Sequence, residues 1–461
     1  MHKYARRILF ADLGSWWPAI ATVAAVTTLV GLCATQFAWT HDERFATAVQ
    51  AQGHSMLEFT IVSETIYLLV AALALFSLTV VGTATVEATR RTFAQWRLVG
   101  ASPSDVRRSL WALVVTASLL GAVPGSILAV GSSYIVVPVF NQMAARGFEA
   151  PVLPPSVFAW LFTLVLGVLT CMLGAFGPAH RASRTQAIEV FREIPQARRR
   201  GLWWRIPLAA TLLLCSLGLL IAAAAIGNQE AGVAVMFNLA MNAGICAVLF
   251  IYLIGPLLVP GILTFLGRLL KMLGSVTGSL AARAAVERAG TSANTIAPLA
   301  AGIGGVGVIL VSVNSAAAVV STLDSAAETN LVDTLVMAAL IAFVLLVTSA
   351  AVVSLVSRDL EREHSLLRIA GMPSRLVTRW YVWQAFLFAC TSMLLALVPI
   401  AITVATTAIS SRDYVGEPIV LIPWGTLLGG FALSWLVLFL VQWWPARPSL
   451  RADIAAGLRA A

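Results

Sequence analysis

Residues 90–104 have the sequence Arg-Arg-Thr-Phe-Ala-Gln-Trp-Arg-Leu-Val-Gly-Ala-Ser-Pro-Ser, a charged stretch that lies between two long apolar runs. A related stretch returns at residues 361–374 as Glu-Arg-Glu-His-Ser-Leu-Leu-Arg-Ile-Ala-Gly-Met-Pro-Ser, again between two apolar runs. In each stretch, basic and apolar residues at helical spacing are followed by a glycine, which predicts a helix that ends there before the chain turns back. This pattern is typical of a cytoplasmic coupling element that joins two membrane-spanning helices.

The composition excludes a soluble globular protein. Of the 461 residues, 59% are hydrophobic and 11% are charged, whereas a soluble domain carries about 25% charged residues. A helix needs roughly 20 apolar residues to cross the hydrocarbon core of a bilayer. Ten segments satisfy this requirement, namely 16–35, 61–86, 110–136, 156–176, 203–226, 234–258, 295–319, 335–356, 381–405 and 424–443. We therefore predict an all-α polytopic membrane protein with ten transmembrane helices and no large extracellular domain.

The distribution of basic residues predicts the orientation of these spans. The connections on the side of the two termini hold 27 of the 30 Lys and Arg residues, and the other side holds only Arg44, Arg146 and Arg412. Lys and Arg accumulate on the cytoplasmic side of membrane proteins, so both termini are predicted to be cytoplasmic. We call the side with the 27 cations the basic side. Because these cations are spread over six short segments rather than one folded face, the net charge of +9 does not predict nucleic-acid binding.

An internal repeat follows from three pairs of matching positions. A short stretch before the first span, residues 3–14, resembles residues 280–290 at an offset of 276, and both are predicted to be helices at the membrane interface. The two charged stretches match at an offset of 271, with Gly100 on Gly371. Pro178-Ala179 matches Pro445-Ala446 at an offset of 267. The falling offset predicts about five extra residues in the first outer loop of the first copy and about four in its second outer loop.

The repeat predicts three parts of the chain. Residues 1–193 form a first four-helix unit, residues 194–270 a joining pair of helices and residues 271–461 a second four-helix unit. The two units have the same orientation, unlike the inverted repeats of many secondary transporters.

Residues that could carry chemistry are scarce. Glu64 and Asp333 lie at the predicted outer ends of spans, and the cluster His41-Asp42-Glu43 is interpreted as a solvated loop rather than a metal site.

The spacing Gly-x-x-x-Gly at 121–125 and 425–429 predicts close helix packing, and Pro124 predicts a kink. The five cysteines, at positions 33, 171, 215, 246 and 390, are interpreted as apolar fillers. No phosphate-binding loop of the Gly-x-x-x-x-Gly-Lys-Ser/Thr type is present, so we predict no catalytic residue, no metal site and no bound cofactor.

Residues 362–373 resemble the signature of the FtsX-like permease family. The second copy matches that signature at Arg362, Glu363, Leu367, Arg368, Gly371, Met372 and Pro373. The first copy matches it at Arg91, Arg97, Gly100, Ala101 and Ser102, but has Thr92 in place of the glutamate and Trp96 in place of the leucine. The closing motif of the family is echoed by Pro178, Ala179, Arg181 and Arg192, and by Pro445, Ala446, Arg447 and Arg459.

The resemblance implies the permease subunit of an ABC transporter of the mechanotransmission type in a bacterial plasma membrane. It implies that a separate ATPase dimer, which binds ATP and Mg²⁺, docks on the two charged stretches of one permease chain. If it does, Leu367 and Trp96 occupy equivalent positions on the contact face. Extrusion of a hydrophobic or amphipathic substrate such as an antimicrobial peptide, lipid or drug is the favoured function. The alternative is a scaffold that transports nothing and instead transmits motion to an extracellular cell-wall hydrolase or another partner.

Overall fold

The structure is a computed structural model of the whole chain. It describes residues 13–53, 56, 59, 77–79, 81–83, 85–86, 95–144, 148–154, 156–184, 205–225, 233–323, 338–344, 346–354 and 372–451. The statements that follow concern these residues. Of the positions named above, Glu64, Arg91, Arg192, Asp333, Arg362, Glu363, Leu367, Arg368, Gly371 and Arg459 lie outside them.

The described residues form helices joined by turns and short loops, without a β-strand among them. The complete helices are α1 (Leu13–Thr40), α2 (Glu43–Ala51), α3 (Pro103–Ala144), α4 (Val157–Arg184), α5 (Arg205–Ala225), α6 (Val233–Met272), α7 (Val276–Glu287), α8 (Ala289–Leu323), α9 (Ser374–Val415) and α10 (Trp424–Arg451). All of these except α2 and α7 are long and apolar enough to cross a membrane, which gives eight candidate spans.

The chain is thus a polytopic all-helical membrane protein. Eight of the ten predicted spans coincide with membrane-length helices. The second predicted span, 61–86, lies mostly outside the described residues, and the eighth, 335–356, is described as apolar helix over 338–344 and 346–354. Ten spans and cytoplasmic termini stay predictions.

The helix bounds reproduce the offsets of the internal repeat. Helices α1 and α8 begin 276 residues apart. Helices α3 and α9 are both 42 residues long and begin 271 residues apart. Helices α4 and α10 are both 28 residues long and begin 267 residues apart. The four extra residues predicted for the second outer loop lie between α3 and α4, where 145–156 correspond to 416–423.

The chain forms two compact units, Met1–Ile194 with Phe343–Leu355 and Pro195–Ala342 with Val356–Ala461. In the first unit, α1 packs closely on α3 at the first Gly-x-x-x-Gly spacing. A Cβ atom at Gly121 would lie 2.7 Å from the carbonyl oxygen of Ile20, and the Thr28 hydroxyl donates a 3.0 Å hydrogen bond to the carbonyl oxygen of Gly125. The predicted packing role of this spacing is confirmed, and α3 continues as a helix through Pro124.

The first unit carries a packed cap on the side opposite the basic side. Phe45 and Val49 of α2 are fully buried with Trp39, Phe59, Phe148 and Leu153. The side-chain amide of Gln52 donates a 3.1 Å hydrogen bond to the carbonyl oxygen of Glu149 and accepts a 2.8 Å bond from its amide. Asp42 caps α2 by accepting a 2.9 Å bond from the amide of Arg44. His41, Asp42 and Glu43 are exposed, but Glu43 is the first residue of α2, so the loop interpretation holds for His41 and Asp42 and is wrong for Glu43.

The second unit is built around α8, which is almost wholly buried. Its glycines permit close contact with α9, because a Cβ atom at Gly304 would lie 3.0 Å from Pro399 and one at Gly307 would lie 2.5 Å from Ile400. The joining pair α5 and α6 packs into this unit. The Ser216 hydroxyl donates a 2.8 Å hydrogen bond to the carbonyl oxygen of Ala243, and α6 also packs on α8 and α9.

The second Gly-x-x-x-Gly spacing does not pack a helix. Cβ atoms built at Gly425 and Gly429 would meet no described heavy atom within 4 Å. The predicted packing role of this spacing is therefore wrong for contacts within the described chain. The motif only permits close approach, and the fold places no described helix on that face of α10.

Candidate coupling turn

The first charged stretch folds into a tight turn at Gly100. Residues 95–98 are helical, and Gly100 has a φ angle of 100°. The amide of Gly100 donates a 3.1 Å hydrogen bond to the carbonyl oxygen of Arg97, and the amide of Ala101 donates a 3.0 Å bond to that of Trp96. These two bonds and the left-handed glycine define a Schellman motif, which ends a helix and satisfies its last carbonyl groups. The predicted end of the helix at Gly100 is confirmed, and the glycine has the left-handed conformation.

The next helix begins two residues after the glycine, at a side-chain cap. The Ser102 hydroxyl accepts a 3.2 Å hydrogen bond from the amide of Asp105 and donates a 2.6 Å bond to the carboxylate of Asp105. Pro103 occupies the first helical position, where the missing N–H costs nothing. Because both ends of the turn are hydrogen-bonded, the chain reverses from one helix to the next over four residues with its backbone direction fixed.

The turn is anchored on the body of the first unit. Trp96 is half-buried. Together with Ala101, it packs on a buried cluster that contains Val86 and, from α3, Val106 and Leu110. Ala179, from the closing motif on α4, lies in the same cluster and is 1% exposed. The cluster therefore joins the signature of the family to its closing motif.

The outward side of the turn presents apolar side chains flanked by cations. Val99 is 90% exposed and Leu98 is 57% exposed, and Arg107 and Arg108 in the first turns of α3 are exposed as well. Sequence reasoning placed Trp96 on the contact face and missed Leu98 and Val99. The signal that could have found them is the hydrophobic contact that commonly accompanies a Schellman motif, between the residue after the glycine and the one five positions before it. It assigns Ala101 and Trp96 to the packed side of the turn and leaves Leu98 and Val99 outside.

The second charged stretch is described from Met372 onwards. Pro373 occupies the N-cap position of α9 with extended backbone, and it makes no side-chain hydrogen bond to the helix. Its carbonyl oxygen accepts a 2.9 Å bond from the amide of Leu376. Val377, which corresponds to Val106 at the offset of 271, is buried like its counterpart. The two copies thus share a buried anchor position and differ in how the helix is capped.

The closing motif lies at the ends of α4 and α10. Pro178, Arg181, Pro445 and Ala446 are in helical positions. The Arg447 guanidinium lies over the ring of Trp443, 3.9 Å from its centroid, and 5.1 Å from the centroid of Trp444. A cation held by two indole rings is suited to the level of the headgroups, where Trp and Arg accumulate.

Within the described ranges, no cluster of three or more His, Cys, Asp or Glu side chains is placed to hold a metal ion. All five cysteines are free, and Cys33 and Cys171 are buried. What the site offers is a rigid turn with an exposed apolar tip, which is suited to contact with another protein.

Comparison with known families gives one result. The family model described as FtsX-like permease C-terminal matches residues 64–187 and 330–454. Together the two matches cover more than half of the chain, and they include both charged stretches and the beginning of each closing motif. Neither a curated protein nor a solved structure matches the chain.

Proposed function

Since the chain belongs to the FtsX-like permease family, as two matches over more than half of its length show, we propose that it is the membrane subunit of an ATP-driven ABC exporter. The observation that carries the proposal is the exposed pair Leu98 and Val99 on a hydrogen-bonded turn. Exposed apolar side chains bounded by polar residues are typical of contact surfaces between proteins.

The turn has the mechanical properties that energy coupling requires. Its Schellman motif and its serine cap fix both helix ends, and Trp96 and Ala101 anchor it on the first unit. A push on Val99 would therefore move the start of α3 rather than deform a loop. Helix α3 is 42 residues long, about 63 Å, so it can carry such a movement across the whole membrane.

The energy source in this proposal is a separate ATPase dimer. The sequence contains no phosphate-binding loop, and the two charged stretches give one chain two docking elements. ATP and Mg²⁺ would bind to the ATPase subunits and not to this chain. The membrane in question is the bacterial plasma membrane, with the basic side facing the cytoplasm.

We further propose that the substrate is hydrophobic or amphipathic, such as an antimicrobial peptide, a lipid or a drug. The described outer connections are short, and most of the described surface of the spans is apolar, which suits a substrate taken from the bilayer. The alternative, a scaffold that transmits motion to an outer partner, is favoured by one observation. The packed cap of α2 and residues 148–153 is a folded surface on the opposite side.

One experiment separates these functions. The chain is co-expressed with a candidate ABC ATPase from the same genome, purified in lipid nanodiscs and assayed for ATP hydrolysis with peptides, lipids or drugs, and separately with a cell-wall hydrolase. Export predicts that one of the small amphipathic compounds raises the hydrolysis rate. Stimulation by the hydrolase alone would support the scaffold. Hydrolysis by the permease chain without a second polypeptide would contradict both.

A further inference from the structure

A second tight turn on the basic side has the same hydrogen-bond pattern as the turn at Gly100. Gly274 has a φ angle of 78°, its amide donates a 3.1 Å bond to the carbonyl oxygen of Lys271, and the amide of Ser275 donates a 3.0 Å bond to that of Leu270. The Ser275 hydroxyl then caps α7 by accepting a 3.2 Å bond from the amide of Gly278. We call residues 257–287, the last four turns of α6 with α7, the inner hairpin.

The two helices of the inner hairpin bring cations together. They meet through small residues, since a Cβ atom at Gly267 would lie 2.7 Å from that of Ala282. Arg268 and Arg283, which follow these two residues, therefore lie at one level of the hairpin, and Lys271 lies about one turn further along α6. All three cations are exposed. From 257 to 288 the chain has four cations and a single carboxylate, Glu287.

The outward surface of the inner hairpin is strongly apolar. Large hydrophobic side chains are exposed over both helices, namely Phe265, Leu269, Met272, Leu273, Val276 and Leu280, with Met272 at 86%. The buried side chains of this part of α6, Val259, Leu263 and Leu270, lie on the opposite face. A patch of this kind is unfavourable in water. At Gly100, by contrast, Leu98 and Val99 are the exposed large apolar side chains among residues 95–104.

The contact of the hairpin with α9, and that of α9 with α10, show how deeply the hairpin lies in the membrane. A Cβ atom at Gly278, near the tip, would lie 3.3 Å from the ring of Trp383 on α9. The Trp435 indole of α10 donates a 3.4 Å hydrogen bond to the carbonyl oxygen of the adjacent Val382, so Trp435 and the tip lie at nearly the same depth. On α9 itself, the exposed Arg379 lies four residues before Trp383, about 6 Å further toward the basic side. An exposed arginine near the end of a span marks the level of the headgroups, so the tip lies close to that level and the rest of the hairpin lies in the leaflet below it.

From this combination we propose that the inner hairpin binds anionic phospholipid in the leaflet on the basic side. The exposed apolar side chains enter the acyl-chain region, and Arg268, Lys271 and Arg283 extend to contact lipid phosphates. Cations held near an anionic leaflet each favour binding, and only one carboxylate lies nearby to oppose it. This inference does not depend on the ATPase or on the transported substrate.

The test uses the full chain with its five cysteines replaced and Leu273→Cys labelled with bimane, in phosphatidylcholine nanodiscs. Brominated phosphatidylglycerol or brominated phosphatidylcholine is added at equal mole fraction, and quenching of the fluorophore is measured. The proposal predicts quenching by both lipids and a several-fold preference for the anionic one. The triple variant R268Q/K271Q/R283Q should lose this preference, because the side chains that contact the lipid phosphates no longer carry charge. The matched control R44Q/R412Q, which removes exposed cations on the opposite side, should keep it.

Two outcomes overturn the proposal. Quenching by aqueous iodide but by neither brominated lipid would show that the hairpin faces water and a soluble partner. Equal quenching by the two brominated lipids, unchanged in the triple variant, would show that the hairpin is immersed without selecting anionic lipid.

Discussion

The backbone amide of Ala101 donates a 3.0 Å hydrogen bond to the carbonyl oxygen of Trp96, and the side chains of the same two residues pack on one buried cluster. The bond closes the turn at Gly100, while the packing attaches the turn to α3 and α4. The residues that give the turn its shape are thus also those that connect it to the membrane helices. This relationship is the structural basis for expecting force on the turn to reach α3.

Substitution of Gly100 by valine should destabilise the turn. A β-branched residue at a φ angle of 100° is strained, at a cost of roughly 1–2 kcal/mol, although a Cβ atom would meet no described neighbour. We expect a lower melting temperature of the detergent-solubilised chain. Gly131→Val is the control, because Gly131 is helical and its Cβ position is equally open. Equal melting temperatures of the two variants would contradict the importance of the positive φ angle.

Loss of the Ser102 cap should make the first turn of α3 open more often. Ser102→Ala removes the side-chain acceptor of the Asp105 amide and leaves only the backbone carbonyl oxygen of residue 102, 3.1 Å away, at a cost of about 1 kcal/mol. Hydrogen exchange at Asp105 should become about fivefold faster. Ser374→Ala at the start of α9 should leave exchange at Leu376, which corresponds to Asp105, unchanged, since no side-chain cap exists there. Unaltered exchange in Ser102→Ala would mean that the cap contributes nothing.

Trp96 should matter for the stability of the permease chain itself. Its half-buried ring packs with Ala101 on the cluster that contains Val106 and Ala179, so Trp96→Ala should cost about 2 kcal/mol, less than a fully buried tryptophan. The measurement is the melting temperature without any ATPase. Val99→Ala, at a 90% exposed position, should leave that temperature unchanged. If the Trp96→Ala variant has the melting temperature of the wild-type chain, the role of Trp96 is confined to contact with a partner.

The assignment of sides can be tested by thiol labelling in intact cells. In a cysteine-free background, cysteines introduced at Arg184 and Ser365 should resist an impermeant thiol reagent, because the distribution of Lys and Arg places them in the cytoplasm. A cysteine at Gln50, exposed on α2, should react. Labelling at Arg184 without prior permeabilisation would reverse the assignment.

The sequence predicted the repeat well because its signals are local. Glycines, prolines and the ends of apolar runs mark helix bounds, and the offsets of 276, 271 and 267 recur as the starts of helices. The positive φ angle of Gly100 was predictable for the same reason. The family resemblance, carried by short motifs in the two copies, was confirmed by the family match.

What the sequence could not predict depends on contacts between distant residues. Helical spacing alone does not show which face of a short helix is buried, so Trp96 was placed on the surface and Leu98 and Val99 were missed. The Gly-x-x-x-Gly spacings at 121 and 425 look alike locally, but only the first is covered by another described helix. The bonds between Gln52 and Glu149 join residues 97 positions apart, and no local pattern indicates them.

Docking of an ATPase on the two charged stretches is tested most directly by co-purification of the ATPase with the permease chain. The partner ATPase is co-expressed with the chain and captured through the permease at matched membrane expression. The variant carries L98D/V99D in the first copy and I369D/A370D, at the same positions by the offset of 271, in the second. Val152→Asp, at a 60% exposed position on the opposite side, is the control. Burying unpaired carboxylates costs several kcal/mol, so the variant should lose ATPase recovery by more than about tenfold while the control retains it. Full retention of the ATPase by the variant would contradict docking on these stretches.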